Sequence, residues 1–179
     1  MLSGMPIQPT EPALEKVVEE DKASGPQPKY KKDDKVTKLI ADLIKAASTC
    51  DQLRLQAHLI HFNYEAGNFL GVHKFLKKQY EVHTEQFDRL GELVRSMDYL
   101  MPMCGKGLGS ASKDVEHVGS YEASSMLVTY YTNLETFAMS LKKTRQAAIK
   151  CDAPDVDHYL AELIGELFKG SWMVKSLLR

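Results

Sequence analysis

The sequence predicts an all-α protein in which four long helices form a bundle, with a long crossover between helices 2 and 3. Apolar residues recur at steps of three and four through four segments, which is the period of a helix with one buried face. No segment shows the strict alternation of apolar and polar residues that indicates a half-buried strand. Breaks rich in glycine or proline separate the segments near Gly67, from Pro102 onward and near Pro154.

The four predicted helices fall into two pairs. The first covers residues 36–64 and the second residues 69–97, with a short connection between them. The third covers residues 121–150, and the fourth follows Pro154 after another short connection. Large residues on the four predicted apolar stripes include Leu43, Leu76, Tyr131 and Trp172. Short joins within each pair, and a join of about twenty residues between the pairs, are typical of a ferritin-like four-helix bundle.

Residues 1–35 differ in composition from the rest of the chain. They contain five of the seven prolines and no sustained apolar stripe, so we expect a flexible N-terminal tail in which only residues 10–22 form a transient helix. The expected organisation is a tail at residues 1–35 followed by one bundle domain at residues 36–179. Six lysines of the tail are balanced by seven acids, which predicts weak DNA binding at best.

Charge, hydropathy and cysteine content exclude several classes of protein. A net charge of −1 gives no global attraction to nucleic acid or to an anionic membrane. No apolar run reaches the ~20 residues of a membrane span, and the N-terminus lacks the pattern of a secretory leader. Cys50, Cys104 and Cys151 are far apart, which favours reduced thiols in a cytoplasmic setting over a disulfide framework. The sequence also has no nucleotide-binding fingerprint.

Two histidines and two carboxylates stand at spacings that match across antiparallel helices. If the chain reverses at Gly67, His61 and His73 return to the same level, because each lies six residues from that glycine. Asp88 and Glu92 are four residues apart and share one face of the second helix. They begin roughly 22 Å along that helix from His73, a gap that no single ion bridges. A second chain, packed antiparallel about a two-fold axis, would bring its carboxylates to these histidines.

These four residues favour a site for a borderline divalent ion such as Fe(II), which accepts both imidazole nitrogen and carboxylate oxygen. Taken singly, each is better explained as an interface histidine or as part of a solvated charged face. Taken together, at consistent helical levels, they favour the metal site. A di-iron centre inside the bundle is disfavoured, because such centres use Glu-x-x-His on two helices and the sequence contains no Glu-x-x-His.

The same residues carry a resemblance to a known family. His-Phe-Asn at 61–63, Gly-Asn-Phe-x-x-Val-His at 67–73 and Asp-x-x-x-Glu at 88–92 resemble the signature of Dps, the miniferritins of bacteria and archaea. The segment Glu-Leu-Phe-Lys-Gly-Ser-Trp-Met at 166–173 is similar to the last helix of several members. The resemblance covers residues of about 36 to 179, the span of the expected bundle.

The resemblance implies a hollow dodecamer of four-helix bundles built from two-fold dimers. It implies that His61 and His73 of one chain join Asp88 and Glu92 of its neighbour in a ferroxidase site, as catalytic and metal-binding residues. It also implies oxidation of Fe(II) by hydrogen peroxide or dioxygen and storage of a ferric mineral inside the shell. The expected role is protection against oxidative damage in the cytoplasm, with association with the nucleoid left open.

The sequence departs from the family pattern at three places. Phe62 stands where the family usually has tryptophan, and Gly67 lies one place later than the common glycine. Lys77 occupies a position where many members supply a further carboxylate. Lysines and acids recur on one face of the second helix. If two such helices pack antiparallel, this pattern predicts an ion pair between Lys77 and Glu85 of the partner chain.

Two other functions stay open at this point. The first is a ferritin-fold shell whose metal site is impaired and whose role is structural or DNA-associated. The second is a helical module that binds another protein and is a monomer or a small oligomer in solution. The segment expected to line the three-fold pores offers only Glu122 and Glu135 as acidic candidates.

Overall fold

Five helices make up the part of the chain that this computed structural model describes, residues 33–179. In chain order they are α1 (Asp34–Asn63), α2 (Phe69–Ser96), α3 (Gly105–Ala111), α4 (Ala123–Lys150) and α5 (Pro154–Leu177). The first three long helices begin and end within two residues of their predicted limits, and the fourth begins at Pro154, next to its predicted start. Residues 33–179 contain no strand. The predicted all-α class is confirmed. Residues 1–32, with the predicted transient helix and most of the predicted tail, lie outside the described residues.

Side chains and a proline mark the starts of three helices. The Asp33 carboxylate accepts a hydrogen bond of 2.8 Å from the main-chain N–H of Lys35. The Glu122 carboxylate accepts hydrogen bonds from the main-chain N–H groups of Ser124 and Ser125. These bonds satisfy donors that have no partner within a helix. A proline opens α5, where its fixed φ suits the first helical turn.

The four long helices form a bundle of two antiparallel pairs. Helix α1 pairs with α2 and α4 pairs with α5, while α1 also packs on α4 and α2 on α5. The largest apolar side chains that are fully buried between them include Leu43, Leu53, Leu76, Leu90, Leu127, Leu134, Leu160 and Leu163. The predicted ferritin-like bundle is confirmed. Among residues 33–179, no helix is both long enough and apolar enough to cross a membrane.

Two of the predicted core positions are wrong. Tyr130 is fully buried, whereas Tyr131 is only partly buried at the edge of the core. Trp172 is 64% exposed, while Gly170 two residues earlier is buried. A Cβ on Gly170 would meet the Leu134 Cδ1 at 3.3 Å, so α5 approaches α4 closely at this level. Small residues take the inward face there, and the indole ring points outward.

The crossover contains the short helix α3, which the sequence did not predict. Its seven residues include three glycines, which disfavour a helix, but contacts with the neighbouring residues stabilise this one. The Cys104 Sγ accepts a hydrogen bond of 3.2 Å from the N–H of Gly107, and α3 packs against α1. Just beyond α3, the Thr49 hydroxyl donates a hydrogen bond of 2.8 Å to the Ser112 Oγ. These contacts hold the crossover against the outer side of α1.

Helix α2 has one buried face and one charged, solvent-exposed face. Its buried side chains include Val72, Leu76, His83, Leu90 and Val94. Its exposed charged side chains include Lys74, Lys77, Glu81, Glu85, Asp88 and Glu92. Because nothing in residues 33–179 covers the charged face, a second molecule can pack against it.

Candidate metal centre

His61 and His73 lie side by side near the turn that joins α1 to α2. Their rings stack with centroids 3.6 Å apart and planes inclined by 23°. His61 is buried, and His73 is partly exposed. The chain therefore brings the two histidines to the same level of an antiparallel helix pair, as their spacing predicts.

Reciprocal hydrogen bonds fix the orientation of both rings. The Nδ1 of His61 lies 2.8 Å from the main-chain oxygen of His73, and the Nδ1 of His73 lies 3.1 Å from the main-chain oxygen of His61. A carbonyl oxygen only accepts, so each Nδ1 carries the hydrogen and donates it. In each neutral ring the Nε2 then holds a free lone pair. A ring nitrogen that donates to a carbonyl while the other nitrogen stays available is the usual state of a metal-binding histidine.

The turn between the helices does not depend on a glycine conformation. The Tyr64 hydroxyl donates a hydrogen bond of 2.7 Å to the side-chain oxygen of Asn68. The main-chain oxygen of Asn68 then accepts from the N–H groups of Gly71 and Val72 as α2 begins. No described glycine has positive φ, and a Cβ added to Gly67 would meet nothing within 4 Å. The shifted glycine at position 67 is therefore compatible with the turn.

Asp88 and Glu92 are exposed on the charged face of α2, far from the two histidines of the same chain. Their separation from His73 along the helix is roughly 22 Å, since each residue adds about 1.5 Å. Glu92 forms an ion pair with Arg89 at 3.1 Å. Within residues 33–179, no three side chains of His, Cys, Asp or Glu are close enough together to hold a metal ion. A single chain brings together the histidine half of the predicted site and leaves the carboxylate half at the other end of α2.

Aromatic rings surround the histidine pair, and sequence reasoning missed two of them, His58 and Tyr80. His58 stacks between Phe62 and Tyr80, with centroid distances of 4.6 Å and 4.2 Å. Phe69 packs against His73 at 5.0 Å. The signal for His58 was present, because a residue three positions before His61 shares its helix face. Tyr80 lies on α2, so only the register of α1 against α2 shows that it contacts His58.

Lys77 is held by its own helix. Its ammonium forms an ion pair of 2.9 Å with Glu81, one turn further along the exposed face. The hydrogen bond to Glu81 and that carboxylate's charge raise the pKa of Lys77 above its ordinary value. Lys77 is therefore charged at neutral pH, and the partner found for it within one chain is Glu81. The predicted ion pair with Glu85 concerns a second chain and stays a prediction.

The comparisons with known proteins agree with this fold. A family model for the ferritin-like domain matches residues 52–179. That match covers most of the sequence, and the chain belongs to the ferritin-like family. No curated protein matches the sequence.

Solved structures of Dps proteins share the architecture at low sequence identity. Dps from Bacillus brevis has a TM-score of 0.79 and 20% identity, covering 83% of this chain and 100% of that chain. Dps from Thermosynechococcus elongatus has a TM-score of 0.77 and 14% identity, covering 81% and 92%. Dps from Vibrio cholerae, described as a member of a broad superfamily of ferritin-like diiron-carboxylate proteins, has a TM-score of 0.74 and 16% identity, covering 81% and 91%. The fold of this chain is the Dps fold.

Proposed function

We propose that this protein is a miniferritin that binds and oxidises Fe(II) at sites shared between two chains. The ferric product is stored inside a hollow dodecamer, with hydrogen peroxide or dioxygen as the oxidant. Removing iron together with its oxidant protects the cell against oxidative damage. The ferritin-like family and the Dps fold support the class of protein. The observation that carries the site is the stacked and hydrogen-bonded pair of His61 and His73.

The histidine pair suits Fe(II) as a substrate because its donor atoms are already oriented. Both rings are locked by hydrogen bonds at Nδ1, so binding costs little further loss of side-chain freedom. Two neutral imidazoles leave the charge of the ion uncompensated. Two carboxylates supply the missing negative charge, and a mixed nitrogen and oxygen donor set suits Fe(II).

Asp88 and Glu92 of a second chain are the proposed source of that charge. They are exposed on α2, and a two-fold axis near the middle of that helix brings them opposite His73 of the partner chain. The Arg89–Glu92 ion pair is no obstacle, because an exposed pair of this kind contributes little free energy. Anionic oxygen donors favour Fe(III) over Fe(II), so the carboxylates also promote the loss of the electron.

Subunit mixing tests whether the site is shared. One variant carries His61→Ala and His73→Ala, and the other carries Asp88→Asn and Glu92→Gln. We expect each variant alone to lose Fe(II) oxidation, because every site lacks one half of its donors. In a mixed two-fold dimer one site regains both halves, so random co-assembly at equal amounts should restore about a quarter of the sites. Stopped-flow absorbance of ferric product measures the recovery.

The control is wild-type protein taken through the same dissociation and reassembly, and mixing is verified by mass spectrometry of the assembled particles. Full mixing with no recovered oxidation would contradict a shared site. Full activity in either variant alone would contradict the assignment of the residues changed in it.

A shell with an impaired metal site is the second candidate, and Lys77 is the observation that favours it. A positive side chain stands on the charged face of α2 where a carboxylate would strengthen iron binding. The Glu81 carboxylate at 2.9 Å offsets that charge within the same chain. The two proposed functions therefore differ in whether the charge of Lys77 still weakens the binding of iron.

We expect Lys77→Ala to change the affinity for Fe(II) by less than about fivefold, because an exposed and paired charge has a small effect. Glu81→Gln should weaken binding more, since it frees the ammonium. The double variant Lys77→Ala, Glu81→Gln should return close to wild type. Anaerobic Fe(II) titration calorimetry measures all three. A large gain in affinity for Lys77→Ala alone would favour the impaired shell.

A further inference from the structure

A chain of hydrogen-bonded side chains crosses the interior of the bundle, separate from the candidate metal centre. Tyr130 of α4 and His83 of α2 are joined at 2.8 Å between the hydroxyl oxygen and the Nε2. The Nδ1 of His83 lies 2.8 Å from the Oε1 of Gln86, and the Nε2 of Gln86 lies 2.9 Å from the carboxylate of Glu166 on α5. Tyr130 is 0% exposed and His83 is 1% exposed, whereas Glu166 reaches the surface.

The carboxylate at the surface sets the direction of every bond in this chain. Glu166 accepts, so the amide NH₂ of Gln86 faces it and the Gln86 carbonyl oxygen faces His83. His83 must then donate from Nδ1, which leaves a lone pair on Nε2. The Tyr130 hydroxyl therefore donates its hydrogen to His83. A second acceptor for that hydroxyl, the Gln79 Oε1, lies at the longer distance of 3.4 Å.

We propose that Tyr130 is a redox-active tyrosine whose phenol proton is accepted by His83. In the proposed step an external one-electron oxidant removes one electron from the phenol ring and is itself reduced by one electron. The O–H bond breaks, the proton moves along the 2.8 Å hydrogen bond to Nε2, and a neutral tyrosyl radical faces a histidinium. Return of one electron reverses the transfer, and the proton goes back to the tyrosine oxygen.

Because Tyr130 is buried, its oxidation depends on a base next to the phenol that can accept the proton. An electron can leave a buried ring by tunnelling, but a proton needs an acceptor within hydrogen-bond reach. Without His83 the product would be a phenol radical cation in a dry interior, where an unpaired charge is strongly disfavoured. With His83 the charge rests on an imidazole whose Nδ1–H donates to Gln86, and Glu166 lies at the end of the same chain. The Tyr130–His83 pair can therefore hold one oxidising equivalent away from solvent.

The pair lies near the carboxylate end of α2. His83 precedes Asp88 by five residues, which is roughly 7.5 Å along the helix. Oxidising radicals formed where Fe(II) meets peroxide would be close enough to take an electron from this pair. The redox site does not depend on iron, however, and an added oxidant can test it in the iron-free protein.

The test generates the oxidant with light. Full-length, iron-free protein is illuminated with a ruthenium polypyridyl complex and persulfate, frozen, and examined by electron paramagnetic resonance. We expect a long-lived tyrosyl signal that Tyr130→Phe abolishes. The matched control is Tyr131→Phe, the neighbouring and partly exposed tyrosine of α4, which should keep the signal. His83→Gln keeps a hydrogen-bond acceptor for Tyr130 but has no basic nitrogen, so it should lose the long-lived signal as well.

A measurement on the wild-type protein avoids any folding defect in the variants. Tyr130 and Glu166 are the titratable groups that join His83 in this hydrogen-bonded chain. The Tyr159 hydroxyl lies 3.4 Å from the main-chain oxygen of Gln86, and Cys50 interacts electrostatically with Tyr159 and Glu166. Burial raises the pKa of Tyr130, Tyr159 and Cys50, so these three stay protonated through the neutral range. Burial lowers the pKa of His83 to about 4, so His83 stays a neutral base through the same range. Because the phenol proton then passes to His83 and not to water or hydroxide, the rate of Tyr130 oxidation by the photogenerated oxidant should not change with pH in that range.

Three results would each overturn the proposal, whether or not the protein oxidises iron. One is the absence of a long-lived tyrosyl signal in wild-type protein. Another is an undiminished signal in Tyr130→Phe. The third is a rate of Tyr130 oxidation that rises with pH across the neutral range as it does for a free phenol.

Discussion

Leu59→Glu is expected to convert the oligomer into monomers of 20.1 kDa and to abolish metal binding at the shared site. Leu59 is 50% exposed on α1, between His58 and the buried Ile60 and two residues before His61. Leu55 and Phe62 lie four residues before it and three after it, so the three form one apolar stripe beside the histidine pair. A contact that covers this stripe would bury an unpaired carboxylate, which is strongly disfavoured.

The loss of metal binding follows from the loss of the partner chain. A monomer keeps the paired histidines, but residues 33–179 of the same chain place no carboxylate beside them. We therefore expect Fe(II) affinity to fall by at least about 100-fold, which is more than the loss of a group that only orients a metal ligand costs. Sedimentation and anaerobic Fe(II) titration measure mass and affinity on the same samples. The fold of the monomer is checked by its helical circular dichroism signal.

Ile149→Glu is the matched control, because Ile149 is also 50% exposed but stands near the end of α4, away from the histidine turn. Whatever it does to larger assemblies, it should leave the proposed two-fold dimer and its proposed metal binding intact. An oligomeric Leu59→Glu protein with wild-type affinity would mean that this stripe of α1 is outside the metal-binding interface.

The sequence predicted the helices and the histidine pair because both depend on local regularities. The apolar period located four long helices, and Asp33 and Pro154 mark two of their starts. The equal spacing of His61 and His73 about residue 67 was enough to place the rings at one level, since an antiparallel pair keeps its register through a short turn. Their exchange of hydrogen bonds with each other's main chain needed the structure.

What the sequence did not predict depends on the rotation and register of helices far apart in the chain. His83 has the period of an ordinary core position, and its partner Tyr130 lies 47 residues away. The apolar stripe of the third predicted helix contained Tyr131, one residue out of phase, so this contact was missed. His58 and Tyr80 were missed for a similar reason, because their stacking depends on how α1 and α2 are rotated against each other.

The folded protein should lose about 3 kcal/mol of stability between pH 6.5 and pH 4 through His83 alone. Burial lowers the pKa of His83 from 6.5 to about 4. In the unfolded chain His83 takes up a proton as the pH falls through 6.5, whereas in the folded chain it stays neutral until about pH 4. The unfolded state binds more protons across that window, so the free energy of unfolding decreases as the pH is lowered.

The contribution of His83 is isolated by a difference measurement. Chemical unfolding is followed at several pH values and one fixed protein concentration, because assembly also affects apparent stability. His83→Gln should remove about 3 kcal/mol of the pH dependence in that window. His117→Gln, at an exposed histidine of the crossover, should keep the dependence caused by His83. Carboxylates such as Glu135 titrate in all three proteins, so their contributions to the pH dependence of the free energy of unfolding cancel in the difference.

The same experiment bears on the direction of the buried hydrogen bonds. A neutral His83 at pH 5 accepts the Tyr130 hydrogen at Nε2 while it donates from Nδ1 to Gln86. A charged His83 would be a donor at both nitrogens and would force the tyrosine oxygen to accept. If His83→Gln and wild type lose stability in parallel from pH 6.5 to pH 4, His83 takes up its proton in the fold as readily as in the unfolded chain, and below pH 6.5 it cannot receive the phenol proton. If instead wild type loses about 3 kcal/mol more free energy of unfolding than His83→Gln between pH 6.5 and pH 4, the imidazole is neutral in the fold and free to act as the base.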